Sequence, residues 1–500
     1  MTAISINRVK NRIRIPANAM REKSRVQRIV AKAFDQLEST LEHAGLSPRG
    51  HLCIRELHTV VRIRLHEPDS ILTAKLGHAI ATAIDATSRG DSNSAVYYSS
   101  RVHALIDLAS AAMRADFTRS WAWQQLELWR DGAKRSATTT AEHVMRAILN
   151  EPHHAIAVLG HVAQDRFTLF EMLKWTSPST WIALSRAVLH DPGAPLESIE
   201  PPNDSRQSIL EPIAARILRQ SAIATATAAA GIHNLPPPTM RALSTLVLLE
   251  VEPAIARIGA EPARALTSTI EALLTRAIAR EPLALPRSDD AGTHNAAAPR
   301  EKPQSSLLAV GTPPNDHQLI EVSQADRPLE DVRRSATTSA GGLLYLINLC
   351  TRIDLPDLIL ADPRLAHRGL RWSLHQLATT LLTLDARDPA ALAFAGLLPD
   401  SPPPNSDQPP PNADELAALE QYRTALTDRL REVLAGLPDL SDPSLIDFVC
   451  RRRAQIFADP GWIEVHFSLD FVSTEIRRAA LDLDPGWVSW LGVVVRFVYA

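Results

Sequence analysis

Thiols, imidazoles and paired carboxylates are the groups from which a chain builds catalysis or metal binding, and here they are thinly spread. Cys53, Cys350 and Cys450 lie far apart with no CxxC pair, which excludes a sequence-local thiolate cluster and suits a reducing compartment. Cys450 precedes Arg451, Arg452 and Arg453, the setting that lowers a thiol pKa, yet its apolar context reads as structural. No GxSxG turn offers a nucleophilic serine, and neither HExxH nor a DxDxDG loop is present. The 17 histidines are scattered. His153 and His154 are adjacent at what reads as a helix start, so their rings are expected to diverge. His466 falls on a predicted strand face, where it reads as solvated or locally bonded. Asp482 and Asp484 are spaced for one strand face, but beside Pro485-Gly486 they read as turn and capping residues rather than a hydrolytic pair. Gly341-Gly342 is followed by Leu343-Leu344-Tyr345 and not by Lys-Ser/Thr, so it suits a helix starting in tight quarters and not a phosphate cradle. No catalytic, cofactor-binding or metal-ligating residue is assigned, and the chain is expected to need no cofactor and not to be an enzyme.

The elements that would position any site must come from a chain of 500 residues and 54.8 kDa, enough for two to four domains. Apolar residues make up 45% and charged residues 22%, so real cores can form and disorder throughout is excluded. The net charge of −3 argues against a nucleic-acid binder driven by global charge. No run of apolar residues approaches the length of a membrane span, and the opening lacks the apolar stretch of a secretory signal, so a cytoplasmic protein is expected. With 19 glycines against 36 prolines, helices punctuated by proline are favoured over glycine-rich phosphate-gripping folds.

The expected fold is mainly α and multi-domain. Residues 1–66 read as an α+β module. Ile13 and Ile15 alternate with Arg12 and Arg14, a helix over 21–44 carries Val26, Val30, Phe34, Leu37 and Leu41, and Val61, Ile63 and Leu65 alternate with Arg62 and Arg64. Up to Leu65 there are 13 Lys/Arg against 5 Asp/Glu, a local charge of +8 that reads as either a docking face for an acidic partner or a solvated sheet face. Residues 67–282 read as irregular helical hairpins, with acid-proline pairs such as Glu151-Pro152, Glu211-Pro212 and Glu252-Pro253 at helix starts. Within them Trp121 and Trp123, two apart, cannot share one helical face. A proline-rich flexible linker is expected over 283–338, a helical segment over 339–400, and an exposed proline-rich spacer over 401–412. Residues 413–500 read as helices followed by terminal strands at Trp462 to Phe467 and Leu491 to Tyr499.

Strands at both ends suggest that the termini share one small sheet. The ends also differ in charge, with 9 arginines against 14 acids over 413–500, a charge of −5. The residues expected to bind are therefore Arg12, Arg14, Arg62 and Arg64 on the basic face, and Trp462, Trp487 and Trp490 as aromatic anchors of the C-terminal module.

Three stretches resemble the tape measure protein family of contractile injection systems, the phage-tail-like particles of bacteria. They are the opening strand and long helix with Leu37-Glu38-Ser39-Thr40-Leu41 followed by Leu52-Cys53-Ile54-Arg55 through Leu65; the run Gly341-Gly342-Leu343-Leu344-Tyr345-Leu346 with His375-Gln376-Leu377-Ala378; and Trp462 to Phe467 with Gly486-Trp487 to Tyr499. The resemblance implies a non-enzymatic structural or assembly component whose partners are tube or baseplate proteins or further copies of itself, associated with an assembled particle. It carries no catalytic residue. A stretched ruler would want a long heptad tract, and proline throughout the chain opposes one. The alternative expectation is a protein-binding adaptor that uses the basic N-terminal face outside any such particle.

Overall fold

Apolar residues recurring every three or four positions fold most of the chain into helices, with twenty helices against seven strands among the described residues. The computed structural model describes residues 22–43, 50–88, 94–130, 136–189, 204–232, 235–255, 260–280, 333–404, 406, 408–435 and 441–499. Arg12, Arg14 and all but the end of the expected linker over 283–338 lie outside them. No described helix is long and apolar enough to cross a membrane.

The N-terminal part runs α1 (Lys23–Asp35), α2 (Leu37–His43), β1 (His51–Ile54), α3 (Asp69–Ser88), β2 (Ala95–Tyr98), α4 (Arg101–Met113) and α5 (Ser120–Gln125). The helix expected over 21–44 breaks at Gln36 into α1 and α2. Its buried stripe is Val26, Ile29, Ala33, Leu37 and Leu41, and the last two pack on Ile80 and Ala81 of α3. Helix therefore packs on helix, where the sequence reading placed helix on sheet. β1 does form, but it pairs antiparallel with β2, a segment beyond the expected module. The strand expected over 61–65 is corrected: among the described residues this stretch pairs with nothing in a ladder. Its alternation survives as alternating exposure, with Val61, Ile63 and Leu65 half-buried and Arg62 and Arg64 exposed. Arg25 holds its far end, donating to Leu65 O at 2.7 Å, Glu67 O at 2.8 Å and Asp69 Oδ1 at 2.7 Å.

A helical lobe follows, made of α6 (Ala137–Leu149), α7 (Pro152–Val162), α8 (Arg166–Trp175), α9 (Pro178–Leu189), α10 (Asp204–Gln220), α11 (Ala222–Ala230), α12 (Pro237–Val251) and α13 (Ala260–Arg280). One hydrophobic core joins these helices to β1, β2, α4 and α5. Its polar centre is Asp107, which accepts from Tyr98 Oη at 2.8 Å, Trp123 Nε1 at 2.8 Å and Arg119 at 2.7 Å. Trp123 is fully buried while Trp121 is half-buried, as spacing two on a helix requires. The acid-proline pairs divide in role. Glu151-Pro152 starts α7 at N-cap and first-turn positions, Pro212 lies inside α10, and Glu252-Pro253 follows the end of α12.

The C-terminal lobe begins with β3 (Arg334–Thr338), a strand where the linker was expected to run to 338. After a 3₁₀ turn at Gly341–Tyr345 come α14 (Leu346–Arg352), α15 (Leu355–Ala361), α16 (Leu370–Leu382), α17 (Pro389–Phe394), α18 (Ala413–Val433) and α19 (Asp442–Cys450). The chain closes with β4 (Ala454–Asp459), β5 (Trp462–Phe467), α20 (Thr474–Arg478), β6 (Gly486–Val488) and β7 (Val493–Tyr499). The sheet order is β3-β4-β5-β7-β6, with β5 and β7 parallel and the other neighbours antiparallel. Pro460-Gly461, with the glycine at φ 77°, closes the β4–β5 hairpin. Its core runs from Ala340 to Phe497 without a division, so the segments expected as separate over 339–400 and 413–500 fold as one body.

Two further expectations change. Among the described residues the chain ends share no sheet, since β1 pairs with β2 alone. The spacer over 401–412 is exposed or half-buried at its described residues apart from Pro403, but it is tied down near its end, where Arg368 donates to Pro409 O at 2.9 Å and Pro410 O at 3.3 Å. Asn412 then caps α18 in a reciprocal box with Glu415.

Candidate functional site

The residues picked out by chemistry are mostly spent on structure. All three cysteines are free and buried. Burial pushes the Cys53 thiol up to about 11 and the Cys350 thiol up to about 12. For Cys450, burial and Asp447 raise the thiol and outweigh Arg452 and Arg451, so the neighbouring arginines do not activate it. Asp482 accepts from Arg477 Nε at 3.1 Å and Tyr499 Oη at 3.3 Å, and Asp484 accepts the Phe497 backbone N–H at 2.6 Å. Gly341 and Gly342 are needed for close packing: a Cβ on Gly341 would stand 2.3 Å from Ala454 Cβ, and one on Gly342 2.2 Å from Val449 O.

The aromatic anchors separate. Trp490 is 1% exposed and donates to Thr351 Oγ1 at 3.0 Å, so it is a core residue and not a binding anchor. Trp462 and Trp487 share one row across the face of the five-stranded sheet that is turned away from its core. Successive rows there read Trp487, Val494, Trp462, Asp459 and then Arg496, Glu464, Phe457, Ser335. Beside this face runs the helical lobe. A Cβ on Gly461 would stand 3.0 Å from Ala157 Cβ of α7, and the Trp487 ring packs edge-on against His153, centroids 6.2 Å apart.

At the centre of the face Glu464 accepts from Arg333 at 2.6 Å, Trp462 Nε1 at 3.1 Å and His466 Nε2 at 3.2 Å. Burial alone would raise the Glu464 carboxyl; the His466 bond, the Arg333 charge and the Trp462 bond outweigh it and hold it at about 2. Arg333 also donates to Ser99 O of the helical lobe at 3.3 Å and lies over the Phe457 ring. His466, expected to be solvated or locally bonded, is bonded and half-buried.

A second ionic group spans the seam between the helical lobe and the C-terminal lobe. Arg216 donates to Glu252 Oε1 at 2.8 Å, and Glu252 Oε2 accepts the Leu370 backbone N–H at 3.3 Å. Nearby, Glu250 accepts from Ser221 Oγ and from the first N–H groups of α11, at Ala222 and Ile223. Burial lifts the Glu250 carboxyl above the usual range against the pull of those bonds. Burial likewise depresses Arg371, against the opposing charges of Glu252 and Glu250.

Between the seam and the start of α7 lies the one group among the described residues with metal-ligating composition: Glu151, His153 and His154, whose donor atoms all fall within 4.8 Å of one another. The two imidazoles converge, with ring centroids 4.0 Å apart, which corrects the expectation that they diverge. Side chains on a helix lean toward its N-terminus, and in a first turn no preceding turn fills that space, so neighbouring rings can enter the same gap. Arg101 Nε donates to Glu151 Oε1 at 2.6 Å, and Glu151 Oε2 faces His154 Nε2 at 3.9 Å. Burial, with the charges of His153 and Arg101, lowers His154 to about 4, so its ring is neutral at physiological pH. Burial and Arg101 lower His51 as well.

No single stretch of sequence signals the seam, because its members come from the residue after β2, from α4, α7, α10, α12 and α16, and from the sheet. No protein-family model, curated protein or solved structure matches this chain.

Proposed function

We propose that this chain is a non-enzymatic structural or assembly component of a contractile injection system, working through protein partners such as tube or baseplate components or further copies of itself. The observation that carries the reading is that the segments on which the C-terminal resemblance rests belong to one core. Leu343, Leu344, Leu377, Ala378, Ile463, Val465, Phe467, Val495 and Phe497 all lie in it, and the glycine pair is held against Ala454 and Val449. Residues spread over more than a hundred positions that converge on one core mark a folded unit. Such a body suits a fixed structural part better than an extensible ruler.

A second reading, an adaptor with a basic docking face, is favoured by one observation. Arg62 and Arg64 are exposed on a stretch that, among the described residues, pairs with no strand, so a strand of a partner could be added beside it. One experiment separates the two: purify native complexes through a tag on this protein, as wild type and with Arg62→Glu and Arg64→Glu together. Recovery of tube or baseplate components supports the assembly role. Recovery only of unrelated partners, lost in the double variant, overturns it in favour of the adaptor, and recovery of no partner overturns both.

A further inference from the structure

We infer that Glu151, His153 and His154 form a three-ligand site for a divalent transition-metal ion of zinc's class, at the start of α7 and beside Trp487. Two imidazole nitrogens and one carboxylate oxygen are the donor set that zinc takes in three-ligand sites, with a fourth position left to water. All three donor atoms already lie within 4.8 Å of one another. A tetrahedral ion holding nitrogen and oxygen at about 2.0–2.1 Å spaces its ligands about 3.4 Å apart, so the group must close by little more than an ångström. His153 is exposed and Glu151 half-buried, so both can turn to make that adjustment.

His154 points to a ligand independently of this spacing. It is 5% exposed, and its Nε2 is aimed at Glu151 Oε2 at 3.9 Å, beyond hydrogen-bonding range, while Nδ1, directed to another side of the ring, has no hydrogen-bond partner either. Buried imidazoles are ordinarily bonded, and one left unbonded beside a carboxylate and a second imidazole suits coordination. Arg101, donating to Glu151 Oε1, orients the carboxylate as an outer-shell partner would and leaves Oε2 facing His154. The same arginine and the positive end of α7 oppose a cation, which sets the selectivity. Magnesium and calcium, which want several oxygens, are excluded, whereas copper, nickel and zinc gain enough from imidazole to bind.

Because the Trp487 ring touches His153, binding has an optical readout. The full chain is titrated with Zn²⁺ by calorimetry and with Cu²⁺ by tryptophan fluorescence. The expected results are one tight equivalent of Zn²⁺, no competition by a hundredfold excess of Mg²⁺, and Cu²⁺ quenching whose saturating component disappears in Trp487→Phe. His153→Ala alters an exposed residue, so it reports even if His154→Ala does not fold, and each should weaken Zn²⁺ at least tenfold. The site is overturned if His153→Ala binds Zn²⁺ as the wild type does, if no stoichiometric equivalent is found, or if quenching is unchanged in Trp487→Phe.

Discussion

Replacing Arg368 by alanine should be among the most damaging single changes in the C-terminal lobe. Its guanidinium grips Glu415 with two bonds, Nε to Oε1 at 2.7 Å and Nη2 to Oε2 at 2.9 Å. Its remaining donors reach Pro409 O, Pro410 O and Gln408 Oε1, and its flat face lies 4.7 Å over the Trp372 ring. Glu415 is 1% exposed, so Arg368→Ala leaves a buried carboxylate without its main counter-charge and two carbonyls without donors. Breaking a buried pair from one side costs about 3–5 kcal/mol. That is a large part of the roughly 5–15 kcal/mol that holds a domain folded. Lysine keeps the charge but lacks the fork, so Arg368→Lys should recover less than half of the loss. Replacing Arg368 and Glu415 together by methionine removes the orphaned charge, and the pair should be far less harmful than the sum of the single changes. Urea unfolding followed by circular dichroism gives the stabilities, and limited proteolysis reads the release of residues 408–411. A loss below about 1 kcal/mol for Arg368→Ala, with the cleavage rate over 401–411 unchanged, would refute the claim that this arginine fixes the proline-rich segment.

Acid should loosen the seam through Glu464. Its carboxyl sits at about 2 in the folded protein against an ordinary 4.5, so its stabilisation is complete above pH 4.5 and is shed as the pH falls toward 2. The shift is worth about 3 kcal/mol, and Glu464→Gln should flatten the fall of urea-measured stability over that window; an unchanged acid limb would contradict it. Gly341→Ala and Gly342→Ala drive a methyl to 2.3 Å from Ala454 Cβ and 2.2 Å from Val449 O, whereas Gly486 at φ 68° has open space around it. Thermal melts should show about 2–3 kcal/mol lost at each paired glycine and about 1–2 kcal/mol from backbone strain at Gly486→Ala; equal losses at all three would remove the packing argument.

Period and punctuation carried most of the helices into view, because an amphipathic stripe such as Val26 to Leu41 is a local property of the chain. The strand at Trp462 to Phe467 was legible for the same reason, its alternation matching Ile463, Val465 and Phe467 inside and Glu464 and His466 outside. Alternation at Val61, Ile63 and Leu65 reported alternating exposure correctly but could not report pairing, which depends on a partner elsewhere in the chain. β3 was hidden for a related reason. Arg334-Ser-Ala-Thr-Thr338 at a sheet edge has little apolar signal, and it pairs with β4 more than a hundred residues later. Proline counts misjudged residues 401–412, since composition records the absence of helix and says nothing about a distant arginine that binds the carbonyls. The candidate site was the least legible part. His153 and His154 could be seen, but convergence of their rings depends on side-chain directions in a first helical turn, and Trp487 and Arg101 reach them only through the fold.

The position of β7 ties the placing of β6 to it. This strand follows β6 in the chain yet lies between β5 and β6, so β6 has nothing to pair with until residues 493–499 are in place. A nascent chain that has reached only β6 displays β5 with one edge open, and the row holding Trp462 and Trp487 does not yet exist. Pairing of β7 with β5 therefore covers that edge and carries β6, with Trp487, to its place beside His153. Until that event the growing protein offers a temporary landing place for another strand, and after it that place is filled from within.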